Sequence, residues 1–343
     1  MSPPREMRLA ANESSSCMMG GWDASAEEGN QYGCSSSSPM VLHEIQVEMA
    51  AYQSSIREGK KSMTQAKASP EIGKSIRAGG VLTNYHEAGS GTPVILIHGS
   101  GPGVSAWANW QFAIPYLAER LHVFAYDQIG FGYTEPAPNQ SYSLELWTNH
   151  LLSFMQAVGV KRAHLVGNSM GAAVALAAAV THPEVVDRLV LMGAMGVHFQ
   201  LRPGEGLDAV WGYTPSVANM RRLIDIFAYD PGKFPTDQLA ELRYEASIRP
   251  GAQEAFSSMF PQPRQEQVDA LAAYEDRLSE VTNPTLIVHG REDRVIPLET
   301  SLKLLQVLDN AQLHVFGHCG HWTQLEPRAA FNRLVRDFLT EEV

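Results

Sequence analysis

From Ser69 onward the chain alternates short apolar runs with stretches of helical spacing. Val81–Tyr85 and Pro93–His98 read as an opening pair of strands, followed by His122–Asp127, Ala163–Asn168 and Arg188–Met192. The gaps between them leave room for helices over Trp107–Glu119, Leu144–Ala157 and Ala172–Thr181. After a long interval, Thr285–His289 and Gln312–Phe316 supply two more buried strands, and Arg328–Leu339 a last helix. Strands that are apolar throughout and alternate with helices predict an α/β architecture: a mostly parallel sheet covered on both faces.

Two segments break this rhythm. Residues 1–62 carry Ser14-Ser15-Ser16, the serine run Ser35 to Ser38 and two of the three cysteines, with little periodicity apart from an isolated weakly amphipathic stretch, Val41–Ile56. They read as a disordered or non-native tail, with Met63 as an alternative start. Residues 197–264 are helical in pattern, rich in Met and aromatics, and punctuated by Pro203, Pro215, Pro250 and Pro261. They read as a helical lid inserted between a first core segment, 63–196, and a second, 265–343. Such a lid would cover the carboxyl edge of the sheet, where open α/β sheets bind ligands.

Composition narrows the function classes. With 343 residues, 44% hydrophobic and 18% charged, the chain has ample core. Its net charge of −11 argues against nucleic acid and anionic membrane surfaces, both of which need basic patches. A small anionic substrate needs only one well-placed arginine and stays open. Cys17, Cys34 and Cys319 offer no disulfide framework, so a reducing cytoplasm is the simplest location. No apolar run approaches the ~18 residues of a membrane span, and the N-terminus lacks the apolar core of a secretory signal.

The chemistry centres on Gly167-Asn168-Ser169-Met170-Gly171, which fits G-x-S-x-G. A short buried strand precedes it and an Ala- and Val-rich helix follows, the context in which this turn lifts a serine into a strained, exposed position. A serine hydroxyl is a poor nucleophile at neutral pH and needs a base oriented by an acid. In this topology the acid follows the serine along the chain, and the histidine comes last. After the strand that follows the lid comes Gly290-Arg291-Glu292-Asp293. Asp293 is favoured there because a short side chain fits a tight loop, with Glu292 as its rival. After the last strand, Gly317-His318-Cys319-Gly320-His321-Trp322 offers two histidines. His321, at the far end of the loop, can reach over the sheet edge, whereas His318 lies closer to the strand and reads as structural. His318-Cys319-x-His321 also suggests a metal, but no second ligand cluster at metal-site spacing accompanies it.

Acyl chemistry also needs two N–H groups for the developing oxyanion. One is that of Met170, directly after the serine. The other comes from the glycine-rich loop His98-Gly99-Ser100-Gly101-Pro102-Gly103, where position assigns it to Ser100. This loop lacks a G-x-G-x-x-G frame and a following Lys-Ser/Thr, so it does not read as a phosphate cradle.

Taken together these strings, with Trp107-Ala108-Asn109-Trp110, Leu207 to Tyr213 and Arg243 to Pro250, resemble the meta-cleavage product hydrolases of the α/β-hydrolase fold, in the branch acting on monocyclic ring-fission products. The resemblance runs from about Ser69 to Leu339. It implies hydrolysis of a carbon–carbon bond in a 2-hydroxy-6-oxohexa-2,4-dienoate, with Ser169, His321 and Asp293 as the triad and no cofactor. By positional matching it implies that Arg243, with Asn109, Asn168 and Trp322, holds the carboxylate and 2-oxo end of the substrate. Taken alone, Arg243 between Glu241 and Glu245 would read as a surface helix residue. The resemblance further implies a homodimer or higher oligomer. A departure from it is Ala172, where many relatives carry Gly. Competing classes are a general carboxylesterase and a hydrolase-fold receptor with little turnover; a dehalogenase or epoxide hydrolase would place an aspartate where this chain has Ser169.

Overall fold

The structure, a computed structural model, describes residues 69–234 and 236–341. The expected tail over 1–62, Val41–Ile56 within it and the start at Met63 lie outside them. The elements in chain order are β1 (Lys74–Ala78), β2 (Val81–Ala88), β3 (Thr92–Ile97), α1 (Ala106–Trp110), α2 (Ala113–Leu117), β4 (Leu121–Tyr126), α3 (Leu144–Ala157), β5 (Ala163–Asn168), α4 (Met170–Thr181) and β6 (Val186–Met192). There follow α5 (Gly206–Trp211), α6 (Val217–Phe227), α7 (Thr236–Ser247), α8 (Ala252–Met259) and α9 (Arg264–Leu271). The chain returns to the sheet with β7 (Thr285–Gly290), α10 (Leu298–Val307), β8 (Ala311–Phe316) and α11 (Arg328–Thr340).

The strands form one eight-stranded sheet in the order β1-β2-β4-β3-β5-β6-β7-β8. β1 and β2 are antiparallel to each other, and β2 is antiparallel to β4; every other neighbouring pair is parallel. The strands at 81–88 and 92–97 are therefore consecutive in sequence but separated in the sheet by β4. The inner strands carry apolar side chains on both faces because both faces are covered. On β3, Ile95 and Ile97 join the core under α3 and α4, while Val94 and Leu96 join the core under α1, α2 and α11. α4 is buried along its whole length from Met170 to Val180, which explains its lack of a polar face.

Three elements differ from the sequence reading, each for a local reason. The single helix expected over Trp107–Glu119 divides at Gln111-Phe112, since Pro115 has no N–H to donate in a helix interior and instead sits in the first turn of α2. β1 was not foreseen because it is an exposed edge strand with few apolar residues. The Gly79-Gly80 dipeptide that closes it onto β2, with φ of 58° and 88°, is the hairpin signal that marks it. α10 was also missed: its buried face is built from Thr300, Ser301 and Leu304, and two hydroxyls in that stripe blur the apolar period.

The parallel arrangement brings the ends of β3, β5, β7 and β8 to the same edge of the sheet. The loop of His98, the turn of Ser169 and the loops of Asp293 and His321 thus leave it side by side.

Candidate active site

Ser169 stands between β5 and α4 with φ 54° and ψ −117°, a conformation that a non-glycine residue adopts only when its surroundings impose it. Its N–H donates to the Met192 carbonyl at 2.8 Å, and its own carbonyl accepts from Ala172 and Met195. The flanking glycines are required by contact. A Cβ on Gly167 would run into the backbone of Gly171 and Ala172, and one on Gly171 would meet the carbonyls of Ile97 and His98. Gly99 packs less closely: a Cβ there would lie 3.1 Å from Cβ of Ser169.

His321 is buried at 2% exposure. Its backbone N–H donates to Phe227 O at 2.7 Å, and its ring Nδ1 lies 2.7 Å from Oδ2 of Asp293. A carboxylate only accepts, so Nδ1 carries the proton and Nε2 presents a lone pair. Asp293 is held in turn by the backbone N–H groups of Val295 (2.7 Å) and Ile296 (3.0 Å), both on Oδ1. Burial alone would raise its carboxyl. The charge and hydrogen bond of His321, with His289 and the Ile296 N–H, outweigh burial and hold it below the ordinary carboxylate value. Glu292 is turned outward, pairing with Arg291 and accepting the Cys319 N–H at 3.0 Å. His318, with φ 54°, stacks on Tyr229 and lies outside the cavity that His321 lines.

Ser169 and His321 line one cavity together with Ser100, Asn109, Asn168, Arg243 and Trp322. The Met170 side chain is buried in the core, but its N–H opens α4 and so has no carbonyl of its own helix to bond. The Ser100 hydroxyl accepts from Trp211 Nε1 at 3.0 Å. The loop before it is pinned by His98, whose Nε2 accepts the Gln128 N–H at 3.0 Å and whose Nδ1 donates to Gly99 O at 2.8 Å. Burial lowers the pKa of His98 to about 4, so this clamp is a neutral imidazole. Arg243 is partly buried on α7, its guanidinium reaching towards the carbonyls of Gly103 (3.4 Å) and Ala108 (3.5 Å). Among the described residues, no cluster of three or more His, Cys, Asp or Glu is placed to hold a metal ion.

The family model described as alpha/beta hydrolase fold matches residues 92–327. A 2-hydroxy-6-oxo-2,4-heptadienoate hydrolase from Pseudomonas putida is 55% identical over 280 residues, 82% of this chain and 100% of that protein. A 2-hydroxymuconate semialdehyde hydrolase from Pseudomonas sp. strain CF600 is 54% identical, covering 81% of this chain and 98% of that one. The crystal structure of a meta-cleavage product hydrolase from Pseudomonas fluorescens IP01, a serine-to-alanine mutant complexed with acetates, aligns with TM-score 0.77 and 57% identity over 79% of this chain and 98% of that one. The chain belongs to the α/β hydrolases, in the group of meta-cleavage product hydrolases.

The sequence reading did not foresee the apolar wall of this hydrolase's cavity. Met220, Leu223, Ile224 and Phe227 line it from α6, joined by Val295 from the Asp293 loop. Their spacing of three, four and seven residues along one helix face was the available signal. One further support was also invisible. His289, fully buried on β7, takes a hydrogen bond from Ser301 on Nδ1 (2.7 Å) and turns Nε2 to Ile296 O (3.1 Å), with Asp293 Oδ2 at 3.4 Å. It braces the Asp293 loop from behind, a role that a histidine inside an apolar strand does not announce.

Proposed function

We propose that this hydrolase cleaves the C5–C6 bond of 2-hydroxy-6-oxohexa-2,4-dienoates such as 2-hydroxymuconate semialdehyde, giving 2-hydroxypenta-2,4-dienoate and formate or a short carboxylic acid. The observation that carries the reading is one cavity lined both by a serine in a strained turn and a buried histidine paired with a carboxylate, and by the Arg243 guanidinium with Asn109 and Asn168.

In this reading Arg243, Asn109, Asn168 and Trp322 hold the carboxylate and 2-oxygen, a task that suits the planar fork of arginine. A proton moves from the 2-hydroxyl to C5, giving the 2,6-dioxo tautomer. Ser169 then adds to the C6 carbonyl while His321 Nε2 takes its proton and Asp293 stabilises the imidazolium. The N–H groups of Met170 and Ser100 receive the C6 oxyanion. Collapse breaks C5–C6, the electron pair runs through C3=C4 onto the 2-oxygen, and the proton held by the His321 imidazolium is given up to the departing dienolate, which leaves as an enol while His321 returns to neutral. Water deprotonated by His321 hydrolyses the acyl group from Ser169. The scheme uses side chains, backbone N–H groups and water, and no cofactor enters.

Helices α5–α8, within residues 197–264, serve as a lid in this scheme, since α6 and α7 supply the apolar wall and the arginine. A homodimer or higher oligomer fits the sheet's outer edge, where Val315 on β8 and Leu302 and Leu305 on the neighbouring α10 are exposed apolar side chains. No helix among the described residues is long and apolar enough to cross a membrane. A cytoplasmic enzyme working on a small anionic substrate, without nucleic acid or membrane partners, accords with the acidic chain. The test is the loss of the yellow dienolate colour on adding purified protein, beside p-nitrophenyl acetate. Rapid bleaching supports the C–C hydrolase; turnover of the ester alone would make it a carboxylesterase.

A further inference from the structure

The loop that carries His321 is bonded on one side to the loop after β7, through Glu292 and Asp293, and on the other to the end of α6. The His321 N–H donates to Phe227 O at 2.7 Å, and Gly320 packs so tightly there that a Cβ would lie 2.8 Å from Tyr229 N. The Phe227 ring stacks on Trp322 with centroids 5.0 Å apart. One side chain closes this junction from both sides. Glu326, half-buried beyond Trp322, accepts the Gly320 N–H on Oε1 at 2.7 Å and the Tyr229 N–H on Oε2 at 2.8 Å, with the Asp230 N–H also bonded to it.

We propose that Glu326 is a positioning residue for His321, its carboxylate tying the end of α6 to the loop that carries the base. The proposal rests on the reading of His321 as the base, and extends it to how that base is held. The chemistry of the junction selects a carboxylate. N–H groups from two separate segments, Gly320 on one side and Tyr229 with Asp230 on the other, point at one side chain, and both sides need an acceptor. Glutamine offers an acceptor at one end and a donor at the other, so one of the two arms must open. Aspartate is a methylene too short to span both. Glu326 touches neither substrate nor Ser169 in this scheme; it acts by keeping the imidazole in line.

The test is Glu326→Gln, with turnover of the dienoate and the proton NMR spectrum recorded together. The Nδ1–H shared by His321 and Asp293 should give a resolved downfield resonance in the wild type. In Glu326→Gln that resonance should shift or broaden, and kcat should fall about 10–100-fold with KM little changed, the cost of displacing a catalytic group by up to ~1 Å. A purely structural role would lower the melting temperature and leave the resonance and kcat in place below the melt. Should Glu326→Gln fail to fold, Tyr229→Pro removes one of the two donors on the α6 side and weakens that arm. The preceding Ala228 has ψ 143°, which a following proline tolerates. Tyr229→Pro should reproduce the same changes, and where both variants fold the double variant should lose no more than the worse single one. A folded Glu326→Gln enzyme with kcat within about twofold of wild type, or with an unaltered resonance, overturns the proposal. The resonance is also readable without substrate in Ser169→Ala. Failure of the triad reading, seen as turnover in Ser169→Ala, is thus scored separately from failure of the Glu326 contact.

Discussion

The most revealing single-atom perturbation is Asp293→Asn. In the native site Oδ1 accepts the N–H groups of Val295 and Ile296, while Oδ2 accepts from His321 at 2.7 Å. Asparagine has one acceptor oxygen and one NH2 group. Two backbone donors hold its oxygen at the Oδ1 position, since the reverse placement would set NH2 against two N–H groups. The NH2 must then face His321, and Nδ1 becomes the acceptor. The imidazole proton moves to Nε2, the nitrogen that must take the Ser169 proton, and the carboxylate charge that stabilised the imidazolium is gone as well. In Ser-His-Asp hydrolases this exchange lowers kcat by about 10⁴-fold, roughly 5–6 kcal/mol of barrier. KM should move little, because Asp293 is wholly buried behind the imidazole and does not line the cavity. Initial rates of dienolate bleaching, with thermal melts to show that the variant folds, provide the assay. Glu292→Gln serves as the control and should retain most activity, since Glu292 pairs with Arg291 away from the cavity. A loss of less than about tenfold in folded Asp293→Asn would refute the orientation argument.

Further outcomes follow from other parts of the site. Arg243→Ala should weaken kcat/KM for the dienoate by ~2–5 kcal/mol, the range for removing one partner of a buried charge pair, and spare a neutral ester; equal loss on both substrates would mean that Arg243 supports α7 rather than reading a carboxylate. Burial lowers the pKa of His98 and His150 to about 4 from an ordinary 6.5, so unfolding takes up protons below about 6.5 and stability should fall as pH drops towards 4. Asp127, raised by burial to about 6, opposes that trend over the same range. Replacing Asp127 by Asn should therefore steepen the acid loss of melting temperature, and an unchanged slope would contradict the assignment. Removing residues 1–62 should leave melting temperature and activity unchanged, because this segment has little periodic apolar surface to offset its ordering entropy. A lower melting temperature or a changed oligomeric state in the shortened chain would show that the segment belongs to the fold.

What was legible in the sequence divides along physical lines. Strands buried on both faces, such as β3, β5 and β7, announce themselves as continuous apolar runs, and each was placed within a residue or two. The strained turn at Ser169 was readable because its glycines are forced by backbone contacts that few other residues survive. Elements whose stability comes from tertiary contact were not readable: β1 is nearly polar, and α10 buries hydroxyls. The same distinction holds in the site. Ser169, Asp293 and His321 lie at strand ends, where topology fixes their meeting. The α6 wall and the Glu326 contact depend on how the helices between β6 and β7 settle onto the sheet, and the His289 brace on how α10 packs against β7, neither of which local sequence encodes.

The central claim, that Ser169 attacks a dienoate carbonyl and a carbon–carbon bond breaks, is tested most directly by one comparison. Purified wild type and Ser169→Ala are mixed with 2-hydroxymuconate semialdehyde, following the loss of yellow colour and analysing the products. The wild type should release 2-hydroxypenta-2,4-dienoate and formate in equal amounts. Ser169→Ala should bind the substrate yet turn over at least ~10³-fold more slowly. Near-normal turnover by folded Ser169→Ala, or bleaching by the wild type without those two products, would contradict the account.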